Sequence, residues 1–191
     1  TFYFRPQNNV VLEAGSRYKY TVKVNATGLT LEGCTIGSWA DGGGESGAAE
    51  DLGYIYDSNT KTYTVYNANG LMNIAELVNG GKSDINITLD TDIDLTGKDW
   101  TPIGTDYDNS YKGTFDGGGH TITGLTFTTN DEYAGLFGWL NRAGTVKNVV
   151  MEGVQITSNQ IYGGSIGGVA GYSWGTIENC SVSGSVSGTV Y

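Results

Sequence analysis

Three stretches of this chain can be laid over one another, and self-similarity at that spacing restricts the fold to a stacked, repetitive one. They are Thr121-Ile-Thr-Gly-Leu-Thr-Phe127, Thr145-Val-Lys-Asn-Val-Val-Met151 and Thr176-Ile-Glu-Asn-Cys-Ser-Val182, offset by 24 and then 31 residues. In each, the second, fifth and seventh positions are apolar, which predicts Ile122, Val146 and Ile177 stacked as one inward column. The fourth position is Gly124, Asn148 or Asn179. Gly and Asn tolerate a left-handed backbone best, so the strand is expected to bend there. A second marker precedes the later two bends: Gly135-Leu-Phe-Gly138 before Trp139, and Gly168-Val-Ala-Gly171 before Tyr172. Short polar turns ending in Gly144 and Gly175 complete the unit. One such unit cannot bury its apolar row alone, whereas stacked copies can, and loops between them are free to vary. The expected fold is all-β: a short right-handed parallel β-helix over roughly Val65 to Val186. Asn148 and Asn179 would stack as an amide ladder, and Cys180 would fill a core position as a small hydrophobe.

Composition agrees with many short strands and tight turns. There are 31 glycines among 191 residues, more than twice the usual share of about 7%, together with thirteen tyrosines and only two prolines. Hydrophobic residues still make up 38%, enough to form a core. A formal charge of −10 argues against nucleic acid and anionic membrane surfaces as partners, because no basic patch is expected to meet phosphate. Cys34 and Cys180 stand far apart in no metal-type spacing and are expected as two isolated buried thiols, with a disulfide the open alternative. No apolar run reaches the roughly 18 residues of a membrane span. The chain opens in mid-strand without Met and stops in mid-pattern, as a piece of a longer protein would, so any targeting signal is expected elsewhere.

Upstream of the repeat, Asn69 to Gly80 reads as the one good helix, with Leu71, Ile74, Ala75, Leu77 and Val78 on one face. Its expected job is to cover the open end of the first rung, an otherwise unpaired edge. Ile85 to Leu95 follows with alternating apolar residues, placing Asp90, Asp92 and Asp94 together on the other face. Residues 1–50 read as a separate small antiparallel segment. Tyr18, Tyr20, Val22 and Val24 alternate with polar residues, Leu29 to Trp39 form a second strand, and Phe2 to Phe4 or Val10 to Leu12 a third. The stretch Ala40 to Ala49 is a Gly-rich linker, so the domains divide as 1–50 and 51–191.

These residues together resemble a known family. Asp92-Ile-Asp-Leu-Thr96, Trp100-Thr-Pro-Ile-Gly104, Gly113-Thr-Phe-Asp-Gly117, Gly119-His-Thr-Ile122, Gly135-Leu-Phe-Gly138 and Gly144 to Asn148 make residues 65–187 similar to GLUG-motif bacterial surface proteins. The second copy of the corner is degenerate, with Val169-Ala170 where the first has Leu-Phe. The resemblance implies a pectin-lyase-like β-helix on extracellular, often adhesive, proteins; similar repeats adjoin the protease domain of IgA-cleaving enzymes. Residues 10–50, through Leu12-Glu-Ala-Gly15, Tyr18-Lys-Tyr20 and Trp39-Ala-Asp-Gly42, resemble the last strands of a fimbrillin-like domain. That implies the cell envelope of Gram-negative anaerobes, with the protein at the cell surface, outer-membrane-anchored or secreted.

Little catalytic chemistry is visible. His120, the sole histidine, has no partner at metal spacing, and no nucleophile-elbow motif accompanies the serines. Asp90, Asp92 and Asp94 offer three readings. They could form a Ca2+ site, since such an ion needs six to eight oxygens. They could serve pectate-lyase-like elimination, which also needs a positioned Arg or Lys that Lys98, Lys112, Arg142 and Lys147 show no pattern for. Or they could accept turn amides, which their place in the family motif favours. Asp106-x-Asp108-x-Ser110 imitates the start of a Ca2+ loop but lacks its later glycine and glutamate. No catalytic residue is assigned. Loop aromatics are the binding candidates: Tyr107, Tyr111, Tyr133, Trp139, Tyr162, Tyr172 and Trp174. Of these, Trp139 and Tyr172 are expected to stack on each other, leaving Tyr162, Trp174, Tyr107 and Tyr111 for a ligand. The functional expectation is a non-enzymatic adhesin or stalk module that meets a host glycan, a host protein or another surface protein. The alternative is a polysaccharide-processing β-helix enzyme or an accessory domain of a surface protease.

Overall fold

The computed structural model describes residues 17–25, 28–37, 51–160 and 163–188, and the chain divides into two compact units, Thr1–Leu52 and Gly53–Tyr191. In the first, β1 (Arg17–Asn25) pairs antiparallel with β2 (Gly28–Gly37), Val24 opposite Leu29 and Tyr18 opposite Ile36. This is the antiparallel segment that the alternation predicts. The third strand expected near Phe2–Phe4 or Val10–Leu12, and the linker at Ala40–Ala49, lie outside the described residues.

The second unit is an all-β solenoid of about three turns with one short helix. It begins with an antiparallel hairpin of β3 (Tyr54–Asp57) and β4 (Thr62–Val65). Helix α1 (Ala68–Asn79) then crosses over to β5 (Asn86–Leu89), which lies parallel to β4. The helix starts where the Asn67 side chain accepts the Gly70 amide at 2.9 Å, two residues ahead of the expected Asn69, and Gly80 caps its far end. Its buried residues Leu71, Ile74, Ala75 and Val78 join the same contiguous core as the strands, while Leu77 is only partly covered. The cap is thus shared. The helix covers the core at this end, and β3 pairs with the strand edge that β4 would otherwise leave free.

The first coil runs through β5 and β6 (Ile93–Asp94) and returns through a long loop in which Ile103 bridges to Phe137 and Tyr111 to Leu140. The second coil comprises β7 (Thr114–Asp116), β8 (Thr121–Thr123), β9 (Thr126–Thr129), β10 (Tyr133–Ala134) and β11 (Phe137–Leu140). The third has β12 (Thr145–Lys147), β13 (Val150–Ser158), β14 (Ser165–Ile166) and β15 (Ala170–Ser173). A further turn opens with β16 (Thr176–Glu178) and β17 (Ser181–Gly188). All pairing from β4 onward is parallel, coil on coil.

The register corrects one expectation. Val146 does stack on Ile177, but its partner below is Phe115, not Ile122. Ile122 belongs to the neighbouring column, between Ile93 and Met151, which continues to Val182. The true equivalents are therefore Thr114, Thr145 and Thr176, evenly spaced at 31 residues. The second coil carries four residues, Gly117 to His120, between β7 and β8, where the third carries only Asn148 and Val149. The left-handed positions are as expected: φ is 55° at Asn148, 50° at Asn179 and 69° at Gly124. They occupy two different corners, with Gly124 at the turn from β8 to β9. The amide ladder forms and ends on a carboxylate. Asn179 Nδ2 donates to Asn148 Oδ1 at 3.4 Å, and Asn148 Nδ2 to Asp116 Oδ1 at 2.9 Å. Cys180 is a free thiol packed against the core, but half-buried rather than buried; the side chain of Cys34 lies outside the described residues.

Candidate functional site

The motif carboxylates are spent on the backbone. Asp92 Oδ1 accepts the Thr121 amide of the next coil at 2.8 Å and lies 3.5 Å from His120 Nδ1. Asp94 Oδ1 accepts the Thr96 amide at 2.9 Å, and hydrogen bonds from Thr96, side chain first and then backbone, hold its carboxyl below the usual range. Asp90 is exposed. Of the readings open for Asp90, Asp92 and Asp94, these bonds favour turn-amide acceptance, and among the described residues no group of three or more His, Cys, Asp or Glu is placed to hold a metal ion. The resemblance to a Ca2+ loop at Asp106 resolves in the same way. Its carboxylate accepts the Asn109 amide at 2.9 Å and the Asn109 side chain, and these bonds lower its pKa. At Asp116 burial works against ionisation, but bonds from Asn148 and Gly118 and the Lys147 ammonium 3.3 Å away outweigh it, so the carboxyl is lowered.

A cleft of about 310 Å³ lies between α1 and the loop after β6, lined by Met72, Ala75, Glu76, Asn79, Gly80, Asp99, Trp100 and Thr101. It holds two carboxylates but no Lys, Arg or His that would supply an electrophile or a second proton carrier. Asn79 and Trp100 act as its frame. Asn79 donates to Pro102 O and accepts from the Gly104 amide, and the Trp100 indole donates to Gly135 O.

The aromatic residues make a more developed site. Trp139 on β11 and Tyr172 on β15 are register partners, so their rings lie one coil apart with centroids at 4.4 Å, in contact as the repeat predicts but tilted by 42°. The glycine before each explains how the strands reach that spacing. A Cβ at Gly138 would stand 2.5 Å from Gly104 O, and one at Gly171 2.6 Å from the Ala134 amide nitrogen. Around this pair, Tyr133 packs on Trp139 at 4.7 Å, Trp174 at 5.6 Å and Tyr107 at 5.7 Å, all three edge-on. Tyr107 and Trp174 also meet each other, at 6.1 Å. The cluster stands apart from the contiguous core. Its centre is covered and its rim is open: Trp139 is 8% exposed, Trp174 48% and Tyr107 58%.

Both rim residues sit on pinned backbone. The Tyr107 carbonyl accepts from Ser110 Oγ at 2.7 Å within the turn held by Asp106, and the Trp174 amide donates to Leu140 O at 2.9 Å. Trp139 contains the one buried side-chain donor without a hydrogen-bond partner among the described residues, its Nε1–H. A buried donor left unpaired costs about 1–3 kcal/mol, so the position calls for a reason. Tyr133 donates to Glu132 at 2.5 Å, and that bond, with some desolvation, raises its phenol to about 12, so it stays protonated.

Of the four residues expected to meet a ligand, the structure brings Tyr107 and Trp174 together and removes Tyr111. Tyr111 is wholly buried in the core, packed on Phe137 at 5.3 Å, with its hydroxyl donating to Ile85 O at 2.9 Å; desolvation raises its pKa. It serves as a core tyrosine because it occupies a rung position opposite Leu140. Tyr162 lies outside the described residues. The union of Tyr107 with the corner pair was not visible in sequence. Tyr107 lies in a loop with no regular strand, and the bridges of Ile103 to Phe137 and Tyr111 to Leu140 carry that loop alongside β11.

Comparison with known proteins adds to this picture. Residues 162–187 match the GLUG motif, so the chain carries that motif within a β-solenoid. The match falls on the corner with Val169-Ala170, the copy that departs from Leu-Phe. Halomucin of Haloquadratum walsbyi is 32% identical over 157 residues, covering 75% of this chain and 2% of that protein. A candidate Gly-rich membrane protein of Evansella cellulosilytica is 38% identical over 100 residues, covering 48% of this chain and 11% of that one. The chain thus spans only a small part of these relatives. Among solved structures, a candidate immunoglobulin A1 protease from Bacteroides ovatus superposes with a TM-score of 0.55 at 26% identity, over 65% of this chain and 38% of the other. Among the described residues no helix is long and apolar enough to cross a membrane.

Proposed function

Proceeding from a GLUG-bearing β-solenoid, we propose that this chain is a non-enzymatic module of a cell-surface protein, an adhesin or stalk segment whose outer aromatic face meets a host glycan or protein. The observation that carries this reading is the pair of exposed rings, Tyr107 and Trp174, held on fixed backbone around a buried aromatic centre. Rigid aromatic surface is what contact sites use, because it offers large area at small entropic cost. The carboxylates support the same reading from the other side, since Asp92 and Asp94 are engaged by turn amides. A mucin-named relative and a membrane-protein relative accord with a place at the cell surface.

The test is binding to an array of mammalian glycans and to host extracellular proteins, with Tyr107→Ala and Trp174→Ala as controls. Each substitution is expected to reduce binding by about tenfold. Polysaccharide cleavage assayed alongside in Ca2+ is expected to be nil, and turnover that disappears in Asp92→Ala would overturn the proposal. One observation favours a second reading. The likeness to a candidate immunoglobulin A1 protease is consistent with an accessory domain beside a protease. Fusion to a neighbouring protease domain would then change its substrate affinity, and no free glycan would bind.

A further inference from the structure

We propose that the aromatic cluster is a carbohydrate site for neutral pyranosides, and that the buried indole N–H of Trp139 is its hydrogen-bond donor. This rests on the contact-face reading above and goes one step further, by naming the ligand chemistry and the atom that recognises it.

Three features of the cluster converge. First, Tyr107 and Trp174 are the exposed rings of the cluster, each edge-on to Trp139 and edge-on to the other, with their own centroids 6.1 Å apart. The apolar C–H face of a sugar ring packs on such surfaces, and a charged ligand does not need them. Second, Trp139 Nε1–H is buried without an acceptor, and the rings around it accept a hydrogen bond only weakly. A sugar hydroxyl or acetamido carbonyl is a strong acceptor of the right size. Third, the surroundings select against anionic ligands. Glu132 stands beside the cluster through its bond to Tyr133, Asp106 and Asp108 flank Tyr107, and the whole chain is acidic at −10.

The donor is reached by rotation of the Tyr107 or Trp174 side chain, with no backbone movement. The turn at Asp106, Asn109 and Ser110 fixes the Tyr107 backbone, and the bond to Leu140 O fixes that of Trp174. The two rim rings therefore act as hinged walls that stack on the ligand, and Trp139 lies at the floor. A contrast within the same molecule sharpens this assignment. The Trp100 indole, equally buried, is saturated by Gly135 O at 3.1 Å and has nothing left to offer.

The experiment uses the whole chain, 15N-labelled at the tryptophan indoles, titrated with chitotriose, maltotriose and lactose as neutral probes and with sialyllactose as the anionic one. At least one neutral sugar is expected to shift the Trp139 Nε1–H resonance downfield, leave that of Trp100 in place, and bind about three- to tenfold more weakly to Trp139→Phe. Sialyllactose is expected to bind no better than lactose. If Tyr107→Ala and Trp174→Ala lose binding while the Trp139 resonance stays fixed, the aromatic face stands and the donor assignment falls. If no sugar shifts any indole while a host protein binds through the same two rings, the carbohydrate assignment falls and the contact face survives. If neither sugar nor protein engages the rings, both are overturned. The resonance is read in the unaltered protein, so the outcome does not depend on Trp139→Phe folding.

Discussion

Among the described residues, the side-chain columns are covered in the first coils and exposed on β16 and β17. Tyr63, Ile87, Phe115 and Val146 are buried in sequence up one column, and Ile177, next in register, is exposed. In the second column Ile93, Ile122 and Met151 are buried and Val182 is 43% exposed. In the third, Ile156 is buried and Val186 exposed. Residue type does not separate the two groups. What separates them is a neighbour: β3 and α1 cover the first coil, whereas among the described residues β16 and β17 pair on one side only. The hydrophobic contribution of a residue in this fold is set by the coil above it, in keeping with the nearest-neighbour energetics of repeat proteins.

The contrast can be broken most forcefully at the cap. Leu71→Ala is expected to cost about 2–5 kcal/mol in urea denaturation, because it removes a fully buried side chain, while Val182→Ala should cost less than about 1 kcal/mol. Comparable losses at the two positions would show that Val182 is covered in solution. The ladder offers a finer test. Asn148 is bonded on both sides and holds a left-handed backbone, so Asn148→Ala should cost about 1–3 kcal/mol, with Asn148→Gly recovering the backbone share. Asn179→Ala, at the exposed end of the same ladder, should cost less.

Amide exchange should then grade along the stack, slowest at β5 and β7 and fastest at β17; uniform protection would mean that the unit opens only globally. The smallest effect concerns acid. Asp94, Asp106 and Asp116 have lowered folded pKa values, so their stabilisation is complete above about pH 4 and is lost as pH falls through those values. The melting temperature is expected to hold from pH 8 to 5 and to fall below about 4, with a shallower fall in Asp116→Asn.

How far these features were legible in sequence differs from residue to residue. The stacking of Val146 on Ile177, the left-handed Asn148 and Asn179, and the Trp139–Tyr172 pair all follow from local rules of spacing and backbone sterics. The slip came at Ile122. Phe115 and Ile122 are both inward-facing residues flanked by threonine, on adjacent faces of one coil, and a period of two cannot say which face a strand belongs to. The extra residues around Gly118 then let the wrong pair align. Tyr107 and Tyr111 show the same limit in the candidate site. Four residues apart in one polar loop, they end on the surface and in the core, because only bridges to a later coil position them.

The bonds that join one coil to the next run along the stack, and this gives the fold a mechanical character. Tension along that direction loads a single row of strand pairs at a time, as in opening a zipper, rather than shearing many together. Each released coil of 31 residues would lengthen the chain by roughly 100 Å, at about 3.3 Å per residue, against the roughly 4.8 Å it occupied in the stack. A stack tethered under flow would give way coil by coil, each release dissipating part of the pull.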